Sequence, residues 1–185
     1  HLALVALGVG KDDEVIVPAF TWVATANVVL YCGASVVFVD VDPTTFNLDP
    51  LDLKDKITSK TKAIIPVHLF GLCADIDAIK EIARGIPLVE DAACAAGAIY
   101  KGKFAGGLGD VGCFSFHPRK SITTGEGGMI TTNDDEIAER VSKLRNHGAE
   151  ISEEQRHHGA KPYMLPNFNM LGFNYRMTDL QGAVG

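Results

Sequence analysis

Two kinds of apolar stretch alternate along the chain. The first kind is short and nearly all apolar: EVIVPA (14–19), SVVFVDVD (35–42), KAIIPVHLF (62–70), IPLVEDAA (86–93), VGCFSFH (111–117) and GGMITTN (127–133). The second kind is helical in pattern: TWVATANVVLYCG (21–33), closed by Gly33, LDPLDLKDKI (48–57), ADIDAIKEIARGI (74–86) and EIAERVSKLR (136–145). In the third of these, Ile76, Ile79, Ile82 and Ala83 share a face, with Asp75 and Asp77 in the first turn. In the fourth, Ile137, Val141 and Leu144 line one side. Strands that do not alternate apolar with polar are covered on both faces, and helices between them place the strands parallel. The pattern therefore predicts an α/β fold.

The ends of the pattern are abrupt. HLALVALGVG (1–10) begins in mid-helix without a cap, and TDLQGAVG (178–185) stops just as a helix starts after Thr178, an N-cap residue. Both ends read as cut from a longer chain. Between His147 and Gly172 the periodicity dissolves into a polar, aromatic-tipped loop, a length usually reserved for function or disorder.

Composition narrows the classes. With 46% hydrophobic and 22% charged residues, the 185-residue chain can bury a core as one domain. A net charge of −6, with no basic cluster, argues against nucleic acid as the main partner. No apolar run is long enough to span a bilayer. Cys32, Cys73, Cys94 and Cys113 are scattered without a CxxC pair, which predicts free thiols, mostly buried, in a reduced, cytoplasmic protein. His157 and His158 are adjacent rather than at helical ligand spacing, so a metal site is not expected there.

Three places carry candidate chemistry. Gly107-Leu-Gly109-Asp-Val-Gly112 matches the dinucleotide pattern G-x-G-x-x-G, but the glycines precede a strand instead of opening a helix, so the nucleotide reading is rejected. No P-loop pattern occurs. The strand LVEDAA ends on Glu90 and Asp91. Either these cap the next turn, or one points into a crevice at the carboxyl end of the sheet as the partner of a cation. Finally, Lys120 follows the apolar run containing Ser115 and precedes Thr123, Thr124 and glycines. A lysine among apolar strands and near another cation loses proton affinity and becomes a usable nucleophile. Carboxylate, hydroxyl and amine at neighbouring strand ends are what pyridoxal 5'-phosphate (PLP) requires: an acid for the ring nitrogen, a hydroxyl for the phosphate, an amine for the aldehyde.

The stretches EVIVPAFTWVATANVVLYCGASVVFVDVDPTTFNLDP, PVHLFG, VEDAACAAGA, GDVGCFSFHPRKSITTGEGGMITTND and GFNYRMTDLQGAVG closely resemble the DegT/DnrJ/EryC1/StrS aminotransferases. The resemblance runs the length of the chain, and S-F-H-x-x-K-x-x-T-T-G-E-G-G (115–128) is its most specific part. It implies a mainly parallel mixed sheet flanked by helices, with residues 1–185 forming part of the large, PLP-binding domain of a fold-type-I enzyme. It further implies that Lys120 bonds to the cofactor aldehyde, Asp91 partners the pyridine nitrogen and Ser115 binds the phosphate. Trp22 stands at the position of the aromatic that stacks on the ring, and Asn174 at that of the asparagine reaching the phosphate of the neighbouring subunit. Without the resemblance, Trp22 reads as core packing and Asn174 as a turn residue.

Cys94 departs from the family, which frequently places Gln or His there to contact the ring hydroxyl; a thiol is the weaker partner. The family's G-T-x-A-L phosphate loop is expected before His1, and its small C-terminal domain after Gly185. The activity implied is transfer of an amino group from an amino acid, glutamate by resemblance, to a nucleotide-linked keto sugar in a homodimer. Part of the substrate contact is expected from the long loop. The competing readings are a sugar dehydratase of the same superfamily, which carries His where Lys120 stands, a non-catalytic regulatory protein that kept the cofactor domain, and a nucleotide-binding oxidoreductase resting only on the misplaced glycines.

Overall fold

The computed structural model describes residues 1–185, apart from the side chains of Glu153 and Glu154. Its strands are β1 (Glu14–Pro18), β2 (Ser35–Val39), β3 (Thr61–Ile64), β4 (Val89–Asp91), β5 (Ile99–Tyr100), β6 (Lys103–Phe104), β7 (Val111–Ser115) and β8 (Gly128–Thr131). The helices are α1 (Leu2–Ala6), α2 (Val23–Tyr31), α3 (Pro50–Lys56), α4 (Ile76–Ala83), α5 (Asp135–Leu144), α6 (Glu153–His158) and α7 (Asp179–Val184). Strands pair in the orders β2-β1-β3 and β4-β7-β8. Parallel bridges Ile64–Leu88 and Val67–Asp91 join the two groups into one mixed sheet, in which only β8 runs antiparallel.

Successive strand residues point to opposite faces. Val15, Val17, Ala63, Ile65, Val89 and Val111 therefore pack on one side with Ala3 and Leu4 of α1 and Val29 of α2. Ile16, Val39, Ile64 and Leu88 pack on the other with Leu53 of α3 and Ile76, Ile79 and Ala83 of α4. Each fully buried aliphatic side chain contributes roughly 1.5–3 kcal/mol of transfer free energy. Helix starts follow the local chemistry: the carboxylates of Asp49, Asp75 and Asp134 accept backbone N–H groups at the heads of α3, α4 and α5. Thr178 caps α7 through a reciprocal pair with Gln181, as its sequence predicts.

Several expectations need correction. Ser35 and Phe38 of β2, on opposite faces, are exposed, so this edge strand is only partly covered, although Val36 packs on one side and Val37 and Val39 on the other. β3 stops at Ile64, short of the predicted Phe70, because Pro66 has no N–H and the chain turns through Leu69–Gly71. The hairpin β5–β6 is too short to leave an alternating pattern and went unpredicted. The 147–172 loop contains α6, headed by a Ser152–Gln155 capping box. As whole residues Cys32, Cys73 and Cys113 are half-buried rather than buried, and Cys94 is exposed; all four are free.

Glu90 and His68 are the polar residues deepest in the sheet, both 0% exposed. His68 Nδ1 accepts the Ala74 amide, so its Nε2–H donates to Glu90 Oε2 at 2.8 Å. Glu90 also accepts the amides of Gly106 and Leu108, each at 2.7 Å, and of Gly109 at 2.5 Å. The glycine pattern rejected as a nucleotide loop thus wraps an internal anion. Its glycines are needed for approach: a Cβ on Gly112 would lie 2.4 Å from Gly106 Cα. Burial pushes the Glu90 carboxyl up, but the bonds from His68, Gly109 and Gly106 outweigh it and hold it below its ordinary value.

A carboxyl held low binds its proton more weakly folded than unfolded, so its contribution is complete above the unfolded value and lost as pH falls through the folded one. Glu90→Gln is expected to cost about 1–3 kcal/mol at neutral pH. The gap to the unsubstituted protein should narrow as pH falls below the ordinary value of 4.5. Urea denaturation across the acid range checks this, and a gap constant with pH would count against it.

Candidate active site

Asp91 follows Glu90 on β4, and the alternation that buries Glu90 turns Asp91 to the α1–α2 side of the sheet. In register it lies beside Cys113 of β7, so Asp91, Cys113 and Ser115 share that face at the carboxyl end of parallel strands. Of the carboxylate pair, Glu90 is a structural clamp, while Asp91 both caps the turn after β4, as one reading has it, and lines a hollow on this face. Asp91 Oδ2 accepts the Thr25 hydroxyl at 2.8 Å, and Oδ1 accepts the Ala93 amide at 3.2 Å. Beside it is a hollow of about 200 Å³, walled by Thr25, Val28, Val89, Ala93 and Cys113.

Lys120 arrives from β7 through a loop that closes on itself. The Phe116 amide donates to Gly127 O and the Thr124 amide to Phe116 O, while the Thr123 hydroxyl donates to Phe116 O and that of Thr124 to Glu126 O. The flanking threonines brace the loop through its own backbone, and the half-buried lysine is left facing the turn after β4, where its Nζ donates to Cys94 Sγ at 3.0 Å. That contact makes Cys94 a direct neighbour of the amine. Ser115 Oγ accepts the His117 amide at 3.3 Å, leaving its own proton uncommitted among the described contacts. From the far end of the chain, α7 touches the same loop, Gln181 Nε2 donating to Glu126 O at 2.8 Å.

Trp22 stands at the N-cap position of α2 and is 72% exposed, which overturns the core-packing reading. Asn174 is not brought to this crevice. It is exposed, bridges Asn146 beyond α5, and has no hydrogen bond to Asp91, Cys94, Ser115 or Lys120 among the described residues. Within the loop expected to meet substrate, the side chains of Glu153 and Glu154 lie outside the described residues. Sequence reasoning passed over Thr25. Its signal is a hydroxyl on the inward face of α2, in line with Val29 and about one turn after Trp22.

The complete chain, residues 1–185, matches the DegT/DnrJ/EryC1/StrS aminotransferase family. The chain belongs to that family. It is 53% identical to a GDP-perosamine synthase of Caulobacter vibrioides and 48% identical to a pleiotropic regulatory protein of Geobacillus stearothermophilus. Both matches cover 100% of this chain and 47% of the relative. The X-ray structure of an aminotransferase from Psychrobacter cryohalolentis superposes with a TM-score of 0.92 at 38% identity, over 99% of this chain and 47% of that one. The chain thus spans just under half the length of each of these three proteins.

DegT/DnrJ/EryC1/StrS enzymes use PLP. The residues present here fit such a group: a carboxylate, a serine hydroxyl with its proton uncommitted and a primary amine on a braced loop, all at the carboxyl ends of the neighbouring strands β4 and β7. Among the described residues, no group of three or more His, Cys, Asp and Glu side chains could hold a metal ion, and no helix is long and apolar enough to cross a membrane.

The four thiols of this family member should differ in reactivity. Cys94 is exposed, while burial pushes the thiols of Cys32 and Cys73 up and that of Cys113 up to about 11. Brief treatment of the folded protein with iodoacetamide should label Cys94 first and Cys113 last, as read by peptide mass spectrometry. Early labelling of Cys113 would contradict the burial described.

Proposed function

We propose that the full-length protein bearing this chain is a PLP-dependent aminotransferase that moves an amino group from an amino acid, glutamate in the first instance, to a nucleotide-linked keto sugar. The observation that carries the reading is the convergence of Asp91, Ser115 and the Lys120 loop at the carboxyl ends of β4 and β7, in a member of an aminotransferase family. The sugar substrate is supported by a relative named GDP-perosamine synthase and by a Pseudomonas aeruginosa relative, 49% identical, named as an aminotransferase of a UDP-linked oxo-sugar acid.

Bound PLP supplies an aldehyde that carries the amino group and a ring that accepts electrons. On this reading Lys120 Nζ holds the cofactor at rest. The same nitrogen, once free, would take the proton from the substrate carbon and return it. Asp91 would hold the ring nitrogen protonated, Ser115 Oγ would take the phosphate, and Trp22 would offer its ring to the cofactor. Cys94 Sγ, within reach of Lys120 Nζ, orients the amine between transfers. Asn174 reaches the phosphate bound by a second subunit, which gives its separation from the crevice a purpose and calls for a homodimer. Lysine rather than histidine at position 120 favours amino transfer over dehydration.

A regulatory reading has one observation in its favour, the 48% identity to the pleiotropic regulatory protein. The two readings part on chemistry. With glutamate and a panel of nucleotide-linked keto sugars, the full-length protein should form amino sugar and show the pyridoxal absorbance bleached by the donor. Lys120→Ala should lower that turnover about a thousandfold or more. Ready turnover by the variant would refute the assignment of Lys120, and a cofactor band unmoved by every donor would favour the regulator.

A further inference from the structure

Thr25 has a role that neither its helix nor its burial requires. It is 4% exposed in the first turn of α2, a place where a threonine hydroxyl ordinarily turns back to its own backbone or a valine packs equally well. Instead its Oγ1 spans to β4 and meets Asp91 Oδ2 at 2.8 Å. An ionised carboxylate only accepts, so the Thr25 proton points at Asp91. Thr25 Oγ1 then accepts from Thr21 Oγ1, 2.9 Å away, giving a directed chain Thr21→Thr25→Asp91. The β-branch restricts χ1, so a buried threonine holds its hydroxyl in a fixed direction.

We propose that Thr25 is a positioning residue for cofactor binding: its hydroxyl, oriented by Thr21, sets the rotation of the Asp91 carboxylate toward the pyridine nitrogen. The inference rests on the PLP reading above. Two fixed donors, Thr25 on Oδ2 and the Ala93 amide on Oδ1, lock the carboxylate plane. Each oxygen keeps a lone pair for a third donor, which the protonated ring nitrogen supplies. Without Thr25 the carboxylate rotates, and the ring meets an acceptor that must be ordered at the moment of binding. The same hydroxyl places the head of α2, and with it Trp22, at a set distance from β4.

The test uses the full-length protein with Thr25→Val, which keeps the shape and removes the hydroxyl, and Thr25→Ser, which keeps the hydroxyl. The apoproteins are titrated with PLP for Kd. The absorbance of the bound cofactor is followed against pH, and borohydride reduction followed by peptide mass spectrometry asks whether the cofactor is attached at Lys120. Thr25→Val is expected to raise Kd about tenfold, the loss of one hydrogen bond to a charged group, and to move the absorbance profile along the pH axis. Thr25→Ser should restore both. Unchanged Kd and profile in Thr25→Val would overturn the inference, as would a serine variant that fails like the valine one. Absence of cofactor on Lys120 in the unsubstituted protein would overturn the PLP reading itself, and the inference with it, so the two failures are told apart by the reduction step.

Discussion

Neighbouring residues of a strand cannot face the same way, and on β4 that constraint divides two carboxylates between two tasks. Glu90 faces the α3–α4 side, where His68 and the amides of Gly106, Leu108 and Gly109 enclose it. A carboxylate buried to 0% exposure is tolerable only when its lone pairs are filled, and here they are. The clamp binds the loop before β7 to β4 and, through His68, whose amide donates to Asp91 O, binds the chain after β3 to the same strand. Asp91 is consequently delivered to the other side by a backbone held from behind. A rigid strand end is what a functional carboxylate needs, since a small displacement of a charged group weakens any interaction aimed at its partner.

Much of this was legible in the sequence. The all-apolar runs gave the central strands, the helical periodicity gave α3, α4 and α5, and Gly33, at φ +76°, closes α2 as its position suggests. What escaped was structure without a period. The β5–β6 hairpin, with two residues in each strand, is shorter than any repeat that could announce it. α6 lies in a polar stretch where a Ser–Gln capping box was the only sign. The edge strand β2 is as apolar as the central strands, so composition alone could not place it at the rim.

The candidate site divides in the same way. Lys120, Ser115 and Asp91 stood out because charge and hydroxyl are unexpected at the ends of apolar runs, and the structure brings them to one end of the sheet. The threonines after Lys120 were read as part of the chemistry, yet their hydroxyls go to the backbone of their own loop. The G-x-G-x-x-G pattern shows the converse. Its backbone does take part in an anion cradle, the amides of Leu108 and Gly109 donating together with that of Gly106 just before it, but the anion is Glu90 of the same chain. A motif reports which backbone geometry is present; the partner of that geometry is decided by what the fold brings opposite.

That distinction also explains why Thr25 is invisible to pattern and plain in the structure. A threonine in a helix is ordinary, and its helical neighbours give it no reason to bond across 66 positions of sequence to Asp91. Only the packing of α2 makes the contact: the helix lies over β1 and β2, and the Thr25 hydroxyl at its head reaches Asp91 at the end of β4. The crossover that buries Val29 in the core therefore also carries Thr25 to Asp91. Core packing and site geometry are set by the same helix placement, so changes that loosen α2 should disturb the carboxylate before they unfold the sheet.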